Sequence, residues 1–176
     1  AAQPTTTFTL AKTSFGTNTA RKITATTSGS ADGSKTVTIV GTDEKGDALT
    51  EVINLPGSAS TTSGTTGSFA TITSATVSAQ PAANVSLGMT ADVFGSVFAG
   101  RTRVRQVNAA SGGAIGSVEF RDGSISGSSL LTVRTGATEG DINTVNIPQD
   151  GILYKDGAFV SFSELHANSV TVYFDG

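Results

Sequence analysis

Alternation between β-branched apolar residues and small polar residues runs through this chain and limits the folds it can form. In Lys35–Val40, Val37 and Ile39 lie on one side of a predicted strand, and the threonines lie on the other. A turn at Asp43–Asp47 separates this strand from a second one at Ala48–Leu55, which predicts a hairpin. β-Branched side chains lose rotamer freedom in helices and pack well on sheets. The pattern therefore predicts an all-β chain.

Turn signals recur about every 8–12 residues, a spacing typical of sandwiches and barrels. Glycine supplies 21 of the 176 residues, which favours tight turns between short strands. Thr61–Ser68 is predicted as an exposed loop and Ala109–Ala114 as a turn, while Val160–His166 could hold one short turn of helix. Further strands are predicted at Thr6–Ala11, Lys22–Thr27, Phe69–Ser74, Ala75–Ala79, Asn84–Gly88, Arg103–Asn108, Gly116–Arg121, Leu130–Arg134, Asp141–Ile147, Gly151–Tyr154, Ala158–Phe162 and Ser169–Phe174.

The length and the strand spacing predict two small antiparallel β-sandwich domains, of jelly-roll or immunoglobulin-like type. The first domain is predicted over residues 1–90 and the second over residues 101–176. Residues 91–100 contain two Val-Phe pairs and are predicted as a linker or as a segment that packs between the domains. Residues 1–10, which include Pro4, are predicted as an extended N-terminal arm that could add a strand to a neighbour's sheet edge.

The residue types that carry most enzyme chemistry are absent or isolated. The chain has no cysteine, and its single histidine is His166. No Gly-x-Ser-x-Gly elbow supports a Ser-His-Asp triad around this histidine, which we interpret as a loop or strand-edge residue. The glycine-rich stretch Ser111–Gly116 lacks the Lys-Ser/Thr of a phosphate-binding loop. We therefore predict no catalytic residue, no cofactor and no enzyme activity.

Acidic residues occur in two groups, one at Asp43, Glu44 and Asp47 and the other at Glu139 and Asp141. Such carboxylates could offer oxygen ligands to Ca²⁺, but neither group follows the spacing of an EF-hand loop. Aspartate also favours turns because its side chain bonds to nearby backbone. We interpret both groups as solvated turn residues and predict no metal site.

The charge and the hydropathy pattern bear on which partners the chain can take. The formal net charge is −3, so no overall basic excess points to nucleic acid. No apolar run reaches the ~18 residues that a membrane-spanning helix requires, so we predict no membrane insertion.

Three arginines at alternate positions form the candidate interaction site. On a strand, Arg101, Arg103 and Arg105 would all point to one face. Three like charges in a row repel unless water or a partner's carboxylates surround them. A solvated strand face explains the row most simply, and a contact with an acidic patch on a neighbouring subunit is the functional alternative. Packaged DNA is a weaker alternative, because three arginines in an acidic chain attract it only weakly and in a salt-dependent way.

The second half of the chain resembles small β-sandwich structural proteins that tailed bacteriophages encode among their head and tail genes. The resemblance rests on Arg103–Asn108, Gly116–Gly123, Ser128–Val133, Val145–Tyr154 and Ser169–Phe174, and covers roughly the last 75 residues. The first half, through Lys35–Asp43 and Leu49–Asn54, resembles another module from the same gene neighbourhoods.

This resemblance implies a virion protein, and we expect a capsid decoration (cement) protein that binds the major capsid protein and stabilises the shell. It also implies a homo-oligomer, expected to be a trimer because decoration proteins commonly occupy local threefold positions. A tail, head–tail connector or fibre component is the first alternative, and an extracellular adhesion or surface module is the second.

Overall fold

A computed structural model describes residues 6–16, 19–58 and 62–176, and all regular structure in this part of the chain is β-strand. The thirteen described strands pair in antiparallel sheets, so the prediction of an all-β antiparallel fold is confirmed. The strands are β1 Thr19–Thr27, β2 Thr36–Thr42, β3 Ala48–Asn54, β4 Thr62–Gly64, β5 Thr71–Val77, β6 Val85–Phe98, β7 Thr102–Ser111, β8 Gly116–Asp122, β9 Ser129–Thr135, β10 Ile142–Asn146, β11 Ile152–Tyr154, β12 Ala158–Ser163 and β13 Ala167–Asp175.

The chain divides into two compact units, Ala1–Thr90 and Ala91–Gly176. The segment 91–100, predicted as a linker or packing segment, belongs to the second unit. Its first eight residues continue β6, and Asp92–Phe98 pair with β12. The apolar residues that suggested a packing segment thus lie within a paired strand, where Val93 is buried.

The first unit is built on the predicted hairpin. β2 pairs with β3 from Thr36↔Asn54 to Thr42↔Ala48, and Gly46 in the connecting turn has a φ of 88°. β5 lies on the other side of β2, while β4, β1 and the first part of β6 form a second set of paired strands. The apolar side chains of alternate positions meet in one core. Its members are Ile23, Ala25, Val37, Ile39, Ile53, Leu55, Phe69, Ile72, Ala75 and Val77.

The N-terminal segment lies against its own unit, in contrast to the predicted arm. Residues 1–5, including Pro4, lie outside the described residues. The N–H of Phe8 donates to the carbonyl of Ala75 (3.0 Å), and the carbonyl of Thr6 accepts from the N–H of Val77 (2.7 Å). The side chain of Phe8 also packs on the core, so burial of its apolar surface holds this segment against the first unit. The strand predicted at Thr6–Ala11 is reduced to a single bridge between Thr7 and Thr76.

The second unit consists of two facing sets of strands. One set has the order β6-β12-β8-β9, using the last part of β6. In the other, β7 is central, with β10 and β11 along one side and β13 along the other. Their core contains Val104, Val107, Ala109, Val118, Phe120, Val133, Tyr154, Ala158 and Ala167.

Four local predictions were wrong in detail. The predicted loop Thr61–Ser68 contains β4, whose polar residues pair with the edge of β1, and Thr61 itself lies outside the described residues. Ala109–Ser111 continue β7, because β10 and β13 pair with these small residues from both sides. The two strands predicted between Phe69 and Ala79 are one strand, β5. The helical turn allowed at Val160–His166 is instead the end of β12 followed by a turn.

Candidate protein-interaction surface

The start of β7 carries the predicted arginine row. Thr102 and Val104 are buried, whereas Arg105 is exposed and Arg103 is half-buried, so the strand alternates as its sequence predicts. Arg101 precedes the strand in a bend and is exposed. The structure thus presents the two strand arginines on the outer side of the β7 sheet, with the third next to them in the chain.

Carboxylate and carbonyl groups of the same unit neutralise part of this row. The guanidinium of Arg105 forms an ion pair with the carboxylate of Asp175 at the end of β13. Nη1 of Arg103 donates to the backbone carbonyl of Asp150 (3.4 Å). Since the side chains of Arg105 and Asp175 are 46% and 57% exposed, water screens their pair, which contributes at most about 1 kcal/mol to stability. Such a pair can be exchanged for a partner's carboxylate at little cost.

Strand β13 brings a second feature to this surface, which the sequence did not single out. It pairs with β7 along its whole length, from Ala167↔Ser111 to Asp175↔Arg103. Val170 and Val172 pack towards the core, while Thr171 and Tyr173 are exposed. Among the residues described here, no other strand pairs with β13, so one edge of this strand is open. The only sequence signal for this position is the lack of a charged residue from Ala167 to Phe174.

His166 has a structural position. It lies in the turn between β12 and β13, where its N–H donates to the carbonyl of Ser163 (2.8 Å). Its ring lies against Gly116, where any side-chain carbon would overlap the imidazole. The ring lines a shallow groove of about 240 Å³ with Asp92, Glu119 and several serines. Among the described residues, no serine or carboxylate is hydrogen-bonded to the imidazole.

The acidic groups serve turns and loops. Asp43 Oδ1 accepts from the N–H groups of Lys45 and Asp47, both at 2.9 Å, which closes the β2–β3 turn. Glu44 accepts from the hydroxyl of Ser68 (3.2 Å), and Glu139 accepts from the side-chain amide of Asn168 (3.5 Å). No group of three histidine, aspartate or glutamate side chains placed to hold a metal ion occurs in residues 6–16, 19–58 and 62–176.

Among the residues that the structure describes, the buried side chains of Asp32 and Tyr154 have shifted pKa values. The hydrogen bond from Lys35 and the one from the N–H of Ala82 lower the pKa of Asp32, against the opposing effect of burial. Burial raises the pKa of the Tyr154 hydroxyl, and the negative charge of Asp122 adds to this rise. Tyr154 therefore stays neutral, and its fully buried ring is part of the core of the second unit.

The first unit has an apolar groove with a volume of about 440 Å³. Phe8, Phe15 and Leu87 line it, and these side chains also pack on the core of the unit. The ammonium of Lys12 stands 5.6 Å from the centre of the Phe15 ring, a cation–π distance. The groove is thus a continuation of the core towards the surface.

Comparison with known proteins found no matching family model, no matching curated protein and no matching solved structure. Among the described residues there is also no helix long and apolar enough to cross a membrane.

Proposed function

We propose that this chain is a structural protein of a tailed-phage virion, and specifically a decoration protein that binds the major capsid protein on the outside of the shell. The observation that carries the proposal is the outer side of the β7 sheet, where Arg103, Arg105 and the neighbouring Arg101 stand in or near solvent. Guanidinium groups suit contacts with carboxylates on another protein, because they donate several hydrogen bonds in a fixed plane. The resemblance of the second half to phage β-sandwich proteins supplies the class of partner.

The mechanism of such a protein is binding. A ligand that binds only the assembled shell stabilises it by mass action, and contacts to two capsomers at once add avidity. A rigid β-sandwich suits this task because it loses little conformational entropy when it binds. No catalytic group is required.

Undecorated shells mixed with purified protein provide the test. We expect saturable binding at a fixed number of copies per shell, measured by co-sedimentation and quantitative gel densitometry, and a higher temperature of shell disassembly. Absence of binding to shells would contradict the proposal. Binding to isolated tails or connectors instead would favour the tail-component alternative.

A matched pair of variants tests the arginine row in the same assay. Arg101 and Arg134 are both exposed, but Arg134 lies on β9, in the other sheet of the second unit. We expect Arg101→Ser to weaken shell binding by up to about tenfold at low salt, as loss of one interfacial charge pair does. Arg134→Ser should leave binding unchanged. Equal effects of the two substitutions would mean that the row is not the contact.

A further inference from the structure

The open edge of β13 is long, and its middle has none of the features that usually protect a sheet edge. The strand has nine residues, and its residues from Asn168 to Asp175 are exposed or half-buried. Natural sheets protect exposed edges with lysine, proline, bulges or very short strands, because free N–H and C=O groups pair with other chains. β13 has bulges near both ends, at Ala167/Ser169 and Tyr173/Phe174, but has neither lysine nor proline. Its middle, around Thr171, is regular.

Other outer strands of the same unit are better protected. β10, on the opposite side of β7, is only five residues long, and β9 carries the charged Arg134. β13 is the outer strand that combines length, β-branched residues and no charge over its first eight residues. Its edge therefore suits addition of another strand.

The two ends of β13 carry opposite charges. At its end, Arg105 forms an ion pair with Asp175, and Arg103 is the register partner of Asp175. At its start, the carboxylate of Glu139 contacts the side chain of Asn168. If two copies align their β13 strands antiparallel, the arginines of one copy come to the glutamate end of the other. A parallel alignment would instead place like charges together, which is unfavourable.

We infer that β13 pairs with β13 of a second copy of this chain, antiparallel and about a two-fold axis that passes near Thr171. Thr171 is the middle residue of the strand. Because threonine is uncharged, the two copies of Thr171 meet at the axis without repulsion between like charges. The two β7 sheets then join into one. This inference is independent of the virion proposal. The trimer that the resemblance implies stays a prediction, to which the two-fold pair is an alternative.

The contact is small. Pairing of one strand edge buries less than the ~1,000 Å² of a stable interface, so dimerisation in solution should be weak and concentration-dependent. Copies held side by side on a surface would pair more readily, because their effective concentration is higher.

Two threonines provide matched variants. Thr171 on β13 and Thr144 on β10 are both exposed, and both are register partners of Asn108 on β7. Lysine at position 171 would bring two ammonium groups together at the axis, whereas lysine at position 144 lies away from the proposed contact. Sedimentation equilibrium over a concentration series should show wild-type protein and Thr144→Lys approaching twice the monomer mass. Thr171→Lys should remain monomeric, with an unchanged circular dichroism spectrum.

Cysteine substitutions fix the orientation, since the natural chain has no cysteine. With the axis near Thr171, Thr171→Cys faces its own copy and should form a disulfide-linked dimer under mild oxidation. Ser169→Cys and Tyr173→Cys should cross-link with each other when mixed, but poorly with themselves. Self-cross-linking at all three positions would show parallel pairing and overturn the inference. So would a wild-type protein that stays monomeric at its highest soluble concentration, or a Thr144→Lys variant that loses pairing as fully as Thr171→Lys.

Discussion

Among single residues, Asp32 is a buried charge in the first unit that three hydrogen-bond donors surround. Its carboxylate is fully buried and accepts from Lys35 Nζ (2.6 Å) and from the N–H groups of Ala82 (2.8 Å) and Ala83 (3.1 Å). One side chain thus ties the turn after β1 to the loop before β6. Charge-assisted bonds of this kind are stronger than neutral ones.

Removal of this carboxylate should destabilise the protein. We expect Asp32→Ala to lower the free energy of unfolding by about 1–3 kcal/mol, since it leaves two partly buried N–H groups and the ammonium of Lys35 without their acceptor. Asp47→Ala is the control, because Asp47 lies exposed in the β2–β3 turn. Urea denaturation at neutral pH measures both. A loss no larger for Asp32→Ala than for the control would contradict this reading of the site.

Because of Asp32, the free energy of unfolding should depend on pH in the acidic range. The pKa of Asp32 is lower in the folded protein than its usual value near 3.8, so the folded state favours the charged form. Its contribution is fully present above about pH 4 and is lost as the pH falls through the lowered folded value. The difference between wild type and Asp32→Ala should thus stay constant from neutral pH to about pH 5, and shrink below pH 4.

Sequence reasoning could not find this residue or the partner of Arg105. Lys35 is three positions from Asp32, but the two N–H groups come from residues 50 and 51 positions further on. Asp175 likewise lies 70 positions from Arg105. Alternation shows which side of a strand an arginine occupies, and that prediction agrees with the positions of Arg103 and Arg105. The identity of the neighbouring carboxylate depends on the pairing of β13 with β7, which no local pattern encodes.

Among the strands, β2 and β5 approach each other very closely at Gly41. The register between β2 and β5 shifts at Val40/Gly41, and a β-carbon at Gly41 would overlap the carbonyl oxygen of Thr71. The two strands can approach at this point only because position 41 has no side chain. The register shift and the glycine at position 41 therefore occur together in this sheet.

Alanine at position 41 should therefore push β5 away from β2. We expect Gly41→Ala to lower the free energy of unfolding by about 1–3 kcal/mol, the usual range for overpacking. Gly64→Ala on β4 is the matched control, because a β-carbon there would stand 3.5 Å from the nearest atom, the carbonyl oxygen of Ile23. Thermal denaturation compares the two. If Gly41→Ala were as stable as Gly64→Ala, the inference that β2 and β5 leave no room for a side chain at position 41 would be wrong.

Most strands could be found from alternation, but their ends and neighbours could not. β2, β3 and β8 lie within a residue or two of their predicted bounds. β7 runs three residues beyond its predicted end because pairing on both sides extends it through Ala109 and Ser111. β4 was missed, since Thr62–Gly64 have no apolar alternation and form a strand only through the edge of β1. Pairing decides these cases, and it joins residues far apart in the sequence.

At the scale of the whole molecule, the described residues form two hydrophobic cores, one in each unit. Val37 is fully buried in the first and Val118 in the second. Most members of each core lie on strands of that unit, and Leu55 and Phe69 of the first core lie outside them. The sequence has small residues and turns throughout and no long apolar segment. We therefore attribute the formation of two small cores, in place of one large core, to this composition.

Because each unit has its own core, we expect a destabilising core substitution in one unit to leave hydrogen exchange in the other unit unchanged. Val37→Ala and Val118→Ala remove the same two methyl groups from fully buried positions, so each should cost about 2–3 kcal/mol through lost burial and a residual cavity. Hydrogen–deuterium exchange read by mass spectrometry should then show faster exchange in β2, β3 and β5 for Val37→Ala, and in β7, β8 and β9 for Val118→Ala. Because local opening follows the cooperative unit that contains the residue, each variant serves as the control for the other. Loss of protection across both units in either variant would mean that the chain opens as a single cooperative domain, and the division after Thr90 would then describe its contacts but not its stability.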